Sequence, residues 1–148
     1  MSYWDTSALV KLYAKEHDSL NFERLAAQFS EIVTSRLALF ELRRILFRKE
    51  IEGSLKRGAS QISFQRFLLD VKTGMVQLAG LGLEIELPFD AVLTRCFTHE
   101  PPIFIHTADA IHLATALAAK AREMVCTDAR LRAASTLIGL SVFPVDRR

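Results

Sequence analysis

Four carboxylates, Asp5, Glu41, Asp109 and Asp128, stand in otherwise apolar segments, YWDTSALVKLY, ALFELRRIL, HTADAIHLATAL and VCTDARL. None belongs to a charged run. If folding brought them into one pocket, their like charges would raise one another's pKa unless a cation offset them. A hard divalent metal with oxygen ligands is the natural counter-charge.

Each acid alone also has an ordinary reading. Asp5, Asp109 and Asp128 suit helix starts, where a carboxylate accepts backbone N–H bonds and meets the positive end of the helix dipole. Glu41 lies between Phe40 and Leu42 with Leu37, Ala38 and Ile45 nearby, so its helix face is mostly apolar; without a metal it would need an ion pair with Arg44 or Arg48. Ser7 either bonds the open backbone at a helix start or orients a carboxylate. His112, one turn after Asp109, reads as a packed histidine rather than a ligand. Asp90 and Thr107 read as helix caps. The basic residues cluster, with Arg43, Arg44, Arg48 and Lys49 beside Glu41 and Lys56 and Arg57 just beyond. They are either solvated surface or phosphate contacts, which a polyanion would need in order to approach carboxylates.

The elements that must place these groups follow from periodicity. Residues 2 to 5 form a strand that runs directly into a helix through TSALVKLYAKE, and LNFERLAAQF gives a second helix. EIVTS is a short buried strand, followed by a long helix from Arg36 to Glu52 closed by Gly53. GSLKRGAS is a loop, QISFQRFLLDVKTGM a helix and LEIEL an alternating strand. Pro88 opens a helix to Thr98, EPPIFIHT connects, ADAIHLATALAAKAR is a helix, EMVCT a strand, DARLRAASTL a helix and SVFPV a final strand. Strands alternating with helices predict an α/β fold, a parallel sheet of four to five strands covered on both faces. Ligand sites in such sheets form outside the carboxyl ends of the strands, where Asp5 and Asp128 fall.

The 148 residues fit one domain, 1–148. A net charge of +2 is too small to argue for nucleic-acid binding by itself. Cys96 and Cys126 lack metal or redox spacing and read as buried free thiols. Neither a signal peptide nor an apolar run of membrane-spanning length is evident, so the expected setting is the cytoplasm, without membrane contact.

Taken together the four segments resemble the PIN domain, and more closely its VapC-like branch, the toxin half of bacterial and archaeal toxin–antitoxin pairs. The resemblance covers essentially the whole chain: WDTSALVKLY, FELRRIL, DAIHLATAL and VCTDARLRAAS are similar to the family's four motifs in order. It implies a three-layer α/β/α fold, a homodimer, a VapB-like antitoxin, and Mg2+- or Mn2+-dependent cleavage of single-stranded or loop RNA by metal-activated water. Asp5, Glu41 and Asp109 would hold the main ion, Asp128 would ligate a second ion or orient water, and Ser7 and Thr127 would support them. Arg43, Arg44, Arg48 and Lys49 would contact substrate. In two places the chain departs from the pattern: Cys126 stands where relatives often carry threonine, with Thr127 displaced by one, and His106 stands where many carry arginine.

Two other classes compete. A haloacid-dehalogenase-type phosphatase also begins with an Asp after its first strand, but needs a second Asp where Ser7 stands; a trapped aspartyl-phosphate would reveal it. A non-catalytic PIN-like RNA-binding module would use only the basic surface, and would fail to bind divalent ions.

Overall fold

The computed structural model describes residues 1–145; residues 146–148 of the expected 1–148 span lie outside it. Five strands form one sheet: β1 (Ser2–Trp4), β2 (Ile32–Ser35), β3 (Val76–Ala79), β4 (Glu123–Val125) and β5 (Ser141–Phe143). All pairings are parallel and the order is β3-β2-β1-β4-β5. The chain first builds outward from β1 on one side and then crosses to the other, so the order reverses beside β1. That reversal opens a crevice at the strands' carboxyl ends.

Strand alternation divides the core. Tyr3 pairs in register with Val33 and with Met124, and all three face α5 (Glu86–Thr98), α6 (Thr107–Ala118) and α7 (Ala129–Leu137). Trp4 and its register partner Val125 face the other way, packing with Phe22 and Leu25 of α2 (Ser19–Ala26) and Ala8 of α1 (Thr6–Tyr13). On that same side, Leu42 and Leu46 of α3 (Arg36–Ile51) and Phe67 of α4 (Ala59–Thr73) pack with Leu9, Val10 and Val76. Both faces are therefore covered, as near-continuously buried parallel strands require.

The structure differs from the sequence expectations at particular places. LEIEL is not a strand: Leu83–Ile85 make one 3-10 turn and α5 begins at Glu86. Glu86 favours a helix N-terminus, and Pro88 falls in the first turn, where a missing N–H breaks no helical bond. With the helix starting before Pro88, Asp90 lies inside α5 instead of capping it. The fifth strand is β3, a four-residue segment between Gly74 and Gly80 too short to show its period. Thr107 is the first helical residue of α6, and His106 takes the cap position without a side-chain bond. The long helix stops as expected, with Gly53 at φ +83°, a backbone state glycine adopts without Cβ strain.

Candidate active site

Asp5 emerges directly from β1. Its backbone N–H donates to the Val125 carbonyl at 3.1 Å, carrying the β1–β4 pairing one residue past the strand. The side chain then caps α1, accepting the Ala8 N–H at 3.1 Å, while the Ser7 hydroxyl lies 2.7 and 2.9 Å from the two carboxylate oxygens. Ser7 Oγ in turn accepts the Thr127 backbone N–H at 3.1 Å. This bond ties the loop before α7 to the start of α1. Thr127 thus supports the site through its backbone. Burial raises the Asp5 pKa to about 6, against the opposing pull of His112, Ser7 and Ala8.

Glu41 lies in the second turn of α3, whose start is fixed by Ser35 accepting the Leu37 N–H at 3.0 Å. Its Oε1 accepts the Thr6 hydroxyl at 2.9 Å and sits 2.6 Å from His112 Nε2. Burial disfavours its charge, but the His112 and Thr6 bonds and the Arg44 charge outweigh that and hold it below the usual carboxylate range.

Asp109 occupies the first turn of α6, and Asp128 caps α7 by accepting the Leu131 N–H at 2.9 Å. Burial raises the Asp109 pKa and the Asp128 charge raises it further. Two neighbours report how the four acids are grouped. The Cys126 thiol is pushed up by burial and then by Asp5, Asp128 and Asp109, while His112 acts on Asp5, Glu41 and Asp109. Asp5, Asp109 and Asp128 thus share one electrostatic neighbourhood around Cys126 at the carboxyl ends of β1 and β4, and Glu41 joins it through His112.

Among the described residues, no three or more His, Cys, Asp or Glu side chains are drawn close enough to hold a metal ion among themselves. The donor set fits a hard cation that keeps several waters and takes only one or two carboxylates directly, as Mg2+ does. It is all oxygen, contains two acids held above their ordinary pKa, and has no thiolate positioned to compete: Cys126 is buried and kept as a thiol.

The basic cluster divides. Arg44 is exposed and acts electrostatically on Glu41. Arg43 lies 3.9 Å from the Phe47 ring centroid and 5.1 Å from that of Phe64, with a buried Nη1 that has no hydrogen-bond partner. Arg48 pairs with Glu52 at 2.7 Å, and Lys49 with Glu16 at 2.6 Å. His106, at the mouth, has its Nδ1 3.8 Å from Asp109 and its Nε2 2.9 Å from Arg130 Nη1. An arginine therefore does stand beside α6, brought from α7. Sequence reasoning missed Arg130, Tyr3 and Thr6. Thr6 had a visible signal, lying between Asp5 and Ser7 in the first motif, whereas Arg130 and Tyr3 approach the site only through tertiary packing.

A PIN domain profile matches residues 2–137. The chain is 34% identical over 142 residues to Ribonuclease VapC46 of Mycobacterium tuberculosis, covering 95% of this chain and 94% of that protein. Its fold superposes on VapBC2 from Rickettsia felis, crystallised bound to a DNA fragment from its promoter, with a TM-score of 0.66, 17% identity and coverage of 96% and 97% of the two chains. Mycobacterium tuberculosis VapC20, a Sarcin-Ricin loop cleaving toxin, superposes with a TM-score of 0.65, 17% identity and coverage of 90% and 95%. The chain belongs to the PIN domain family. Within that family it is a VapC-like ribonuclease, of the toxin type found in toxin–antitoxin systems.

Proposed function

We propose that the protein is a Mg2+- or Mn2+-dependent endoribonuclease that cleaves single-stranded or loop RNA in the cytoplasm. The observation that carries this reading is the electrostatic grouping of Asp5, Glu41, Asp109 and Asp128 at the sheet's carboxyl edge. A divalent ion bound there would lower the pKa of water, polarise the scissile phosphate and offset charge on the leaving oxygen. Asp5, Glu41 and Asp109 would hold that ion, at least one of them through its bound waters, and Asp128 would take a second ion or orient the attacking water. Ser7 fixes both Asp5 oxygens, and the Thr127 N–H holds Ser7. Of the basic residues on α3 beside Glu41, Arg44 is the one best placed to meet an RNA phosphate. Arg43, Arg48 and Lys49 would first have to leave their aromatic or acidic partners.

A VapB-like antitoxin and a second copy of the chain are the expected partners. Exposed apolar side chains support both: Phe40, Phe47 and Ile51 on α3, and Leu83 and Leu87 at the start of α5. Light scattering of the chain alone, and of the chain co-expressed with the product of a neighbouring small reading frame, distinguishes dimer from complex.

The decisive test is to sequence RNA ends generated by purified wild-type protein and by Asp5→Asn with Mg2+. New ends should appear with the wild type and vanish with the variant or with chelator. Persistence of the same cuts in Asp5→Asn would overturn the assignment.

A further inference from the structure

His112 is 2% exposed, and both of its ring nitrogens are engaged. Nδ1 is 2.7 Å from the Tyr3 hydroxyl, across 109 residues of sequence. Nε2 is 2.6 Å from Glu41 Oε1 and 3.4 Å from the Thr6 hydroxyl. The Tyr3 ring also meets the imidazole edge-on, with centroids 5.9 Å apart. Tyr3 is at the centre of the sheet, His112 on α6, Glu41 on α3 and Thr6 at the start of α1. One histidine therefore joins three layers at the acidic edge.

The contact with Glu41 fixes where the proton lies. A carboxylate oxygen accepts, so across the 2.6 Å contact with Glu41 Oε1 it is Nε2 that carries the hydrogen. With the hydrogen on Nε2, Nδ1 is the accepting nitrogen, and the buried Tyr3 hydroxyl 2.7 Å away donates to it. Both hydrogen bonds described at Glu41 end on Oε1, leaving Oε2 for a cation.

We propose that His112 is a positioning residue for the metal site: anchored by Tyr3, it donates Nε2–H to Glu41 and fixes the carboxylate so that its other oxygen presents to the ion. This rests on the metal-site reading above, with Glu41 as ligand. Partners that orient ligating carboxylates are worth roughly 10- to 100-fold in metal affinity. A histidine that merely fills the core would show no such dependence.

Two amides separate the halves of the ring. Glutamine at this position places its side-chain N–H2 near the Nε2 site and preserves the bond to Glu41. Asparagine reaches only the Nδ1 side and preserves the bond to Tyr3. Calorimetric titration of the metal-free protein with Mn2+ should show His112→Asn weakened by about tenfold or more, and His112→Gln recovering most of that loss. Melting temperatures measured alongside should not follow the same order. Wild-type affinity in His112→Asn, or equal losses in the two variants, would overturn the inference while leaving the metal site intact. Should His112→Asn not fold, Tyr3→Phe removes the anchor from the other side, and unchanged Mn2+ affinity in that variant overturns the inference as well. Absence of Mn2+ binding by the wild type would overturn the metal-site reading and this inference with it.

Discussion

Asp5 is held in a state that its surroundings oppose. Its pKa is raised from 3.8 to about 6 because burial removes water faster than Ser7, Ala8 and His112 replace it. The folded protein therefore binds this proton more tightly than the unfolded chain, and between those two values ionisation costs stability. The full penalty, about 3 kcal/mol at 1.36 kcal/mol per pKa unit, is present above the folded value and disappears below the unfolded one. Asp5→Asn retains an acceptor for the Ala8 N–H and carries no charge. It should stabilise the metal-free protein at neutral pH while abolishing Mg2+-dependent cleavage, measured by urea unfolding and by RNA end mapping. Loss of stability in that variant would show that the charge is already compensated. Because the metal must displace the same proton, Mn2+ affinity should fall steeply as pH drops below about 6, a dependence that calorimetry across pH reads directly.

At the level of elements, α3 couples the site to the core. Leu42 follows Glu41 and is fully buried against α1 and α4. Leu42→Ala should cost about 2–5 kcal/mol, seen as a lower urea midpoint at unchanged slope. An effect below about 1 kcal/mol would mean that the layer collapses around the gap. Much of this arrangement was legible beforehand. β1 and β4 each run into a helix through an acid, and that pattern carries its own boundary signal. β3 was not legible, because VQLA is only four residues long and Val76 is its one fully buried position. LEIEL misled for the opposite reason: its alternation is real in the sequence, but Leu83 and Leu87 both end up exposed, four residues apart. The four acids were visible as a set, whereas the role of His112 was not. A histidine in DAIHLATAL has the spacing of any packed residue, and only the tertiary approach of Tyr3 and Glu41 gives it a task.

For the molecule as a whole, the site sets opposing pH dependences. Asp5 and Asp109 are both raised, so both reduce metal-free stability as pH climbs above their unfolded value of 3.8, Asp5 doing so through about 6. Glu41 is lowered, so its contribution is present above its unfolded value of 4.5 and is lost on acidification through its lower folded value. Metal-free protein should thus become less stable as pH rises through the first window, and saturating Mn2+ should reverse that slope. Thermal melts in both conditions check it, and parallel curves would count against a shared ion. Among the described residues no helix is long and apolar enough to cross a membrane.

The bond from the Asp5 N–H to the Val125 carbonyl also bears on how the protein opens and closes. This amide is flanked by the buried residues Trp4 and Thr6 and belongs to the central strand pair. Its exchange with deuterium should require unfolding of the whole domain, whereas amides in the exposed 53–58 loop exchange through local fluctuations. The acid that most opposes burial is thus fastened to the backbone of the central strand pair, so its exposure to water and the separation of those strands should occur together.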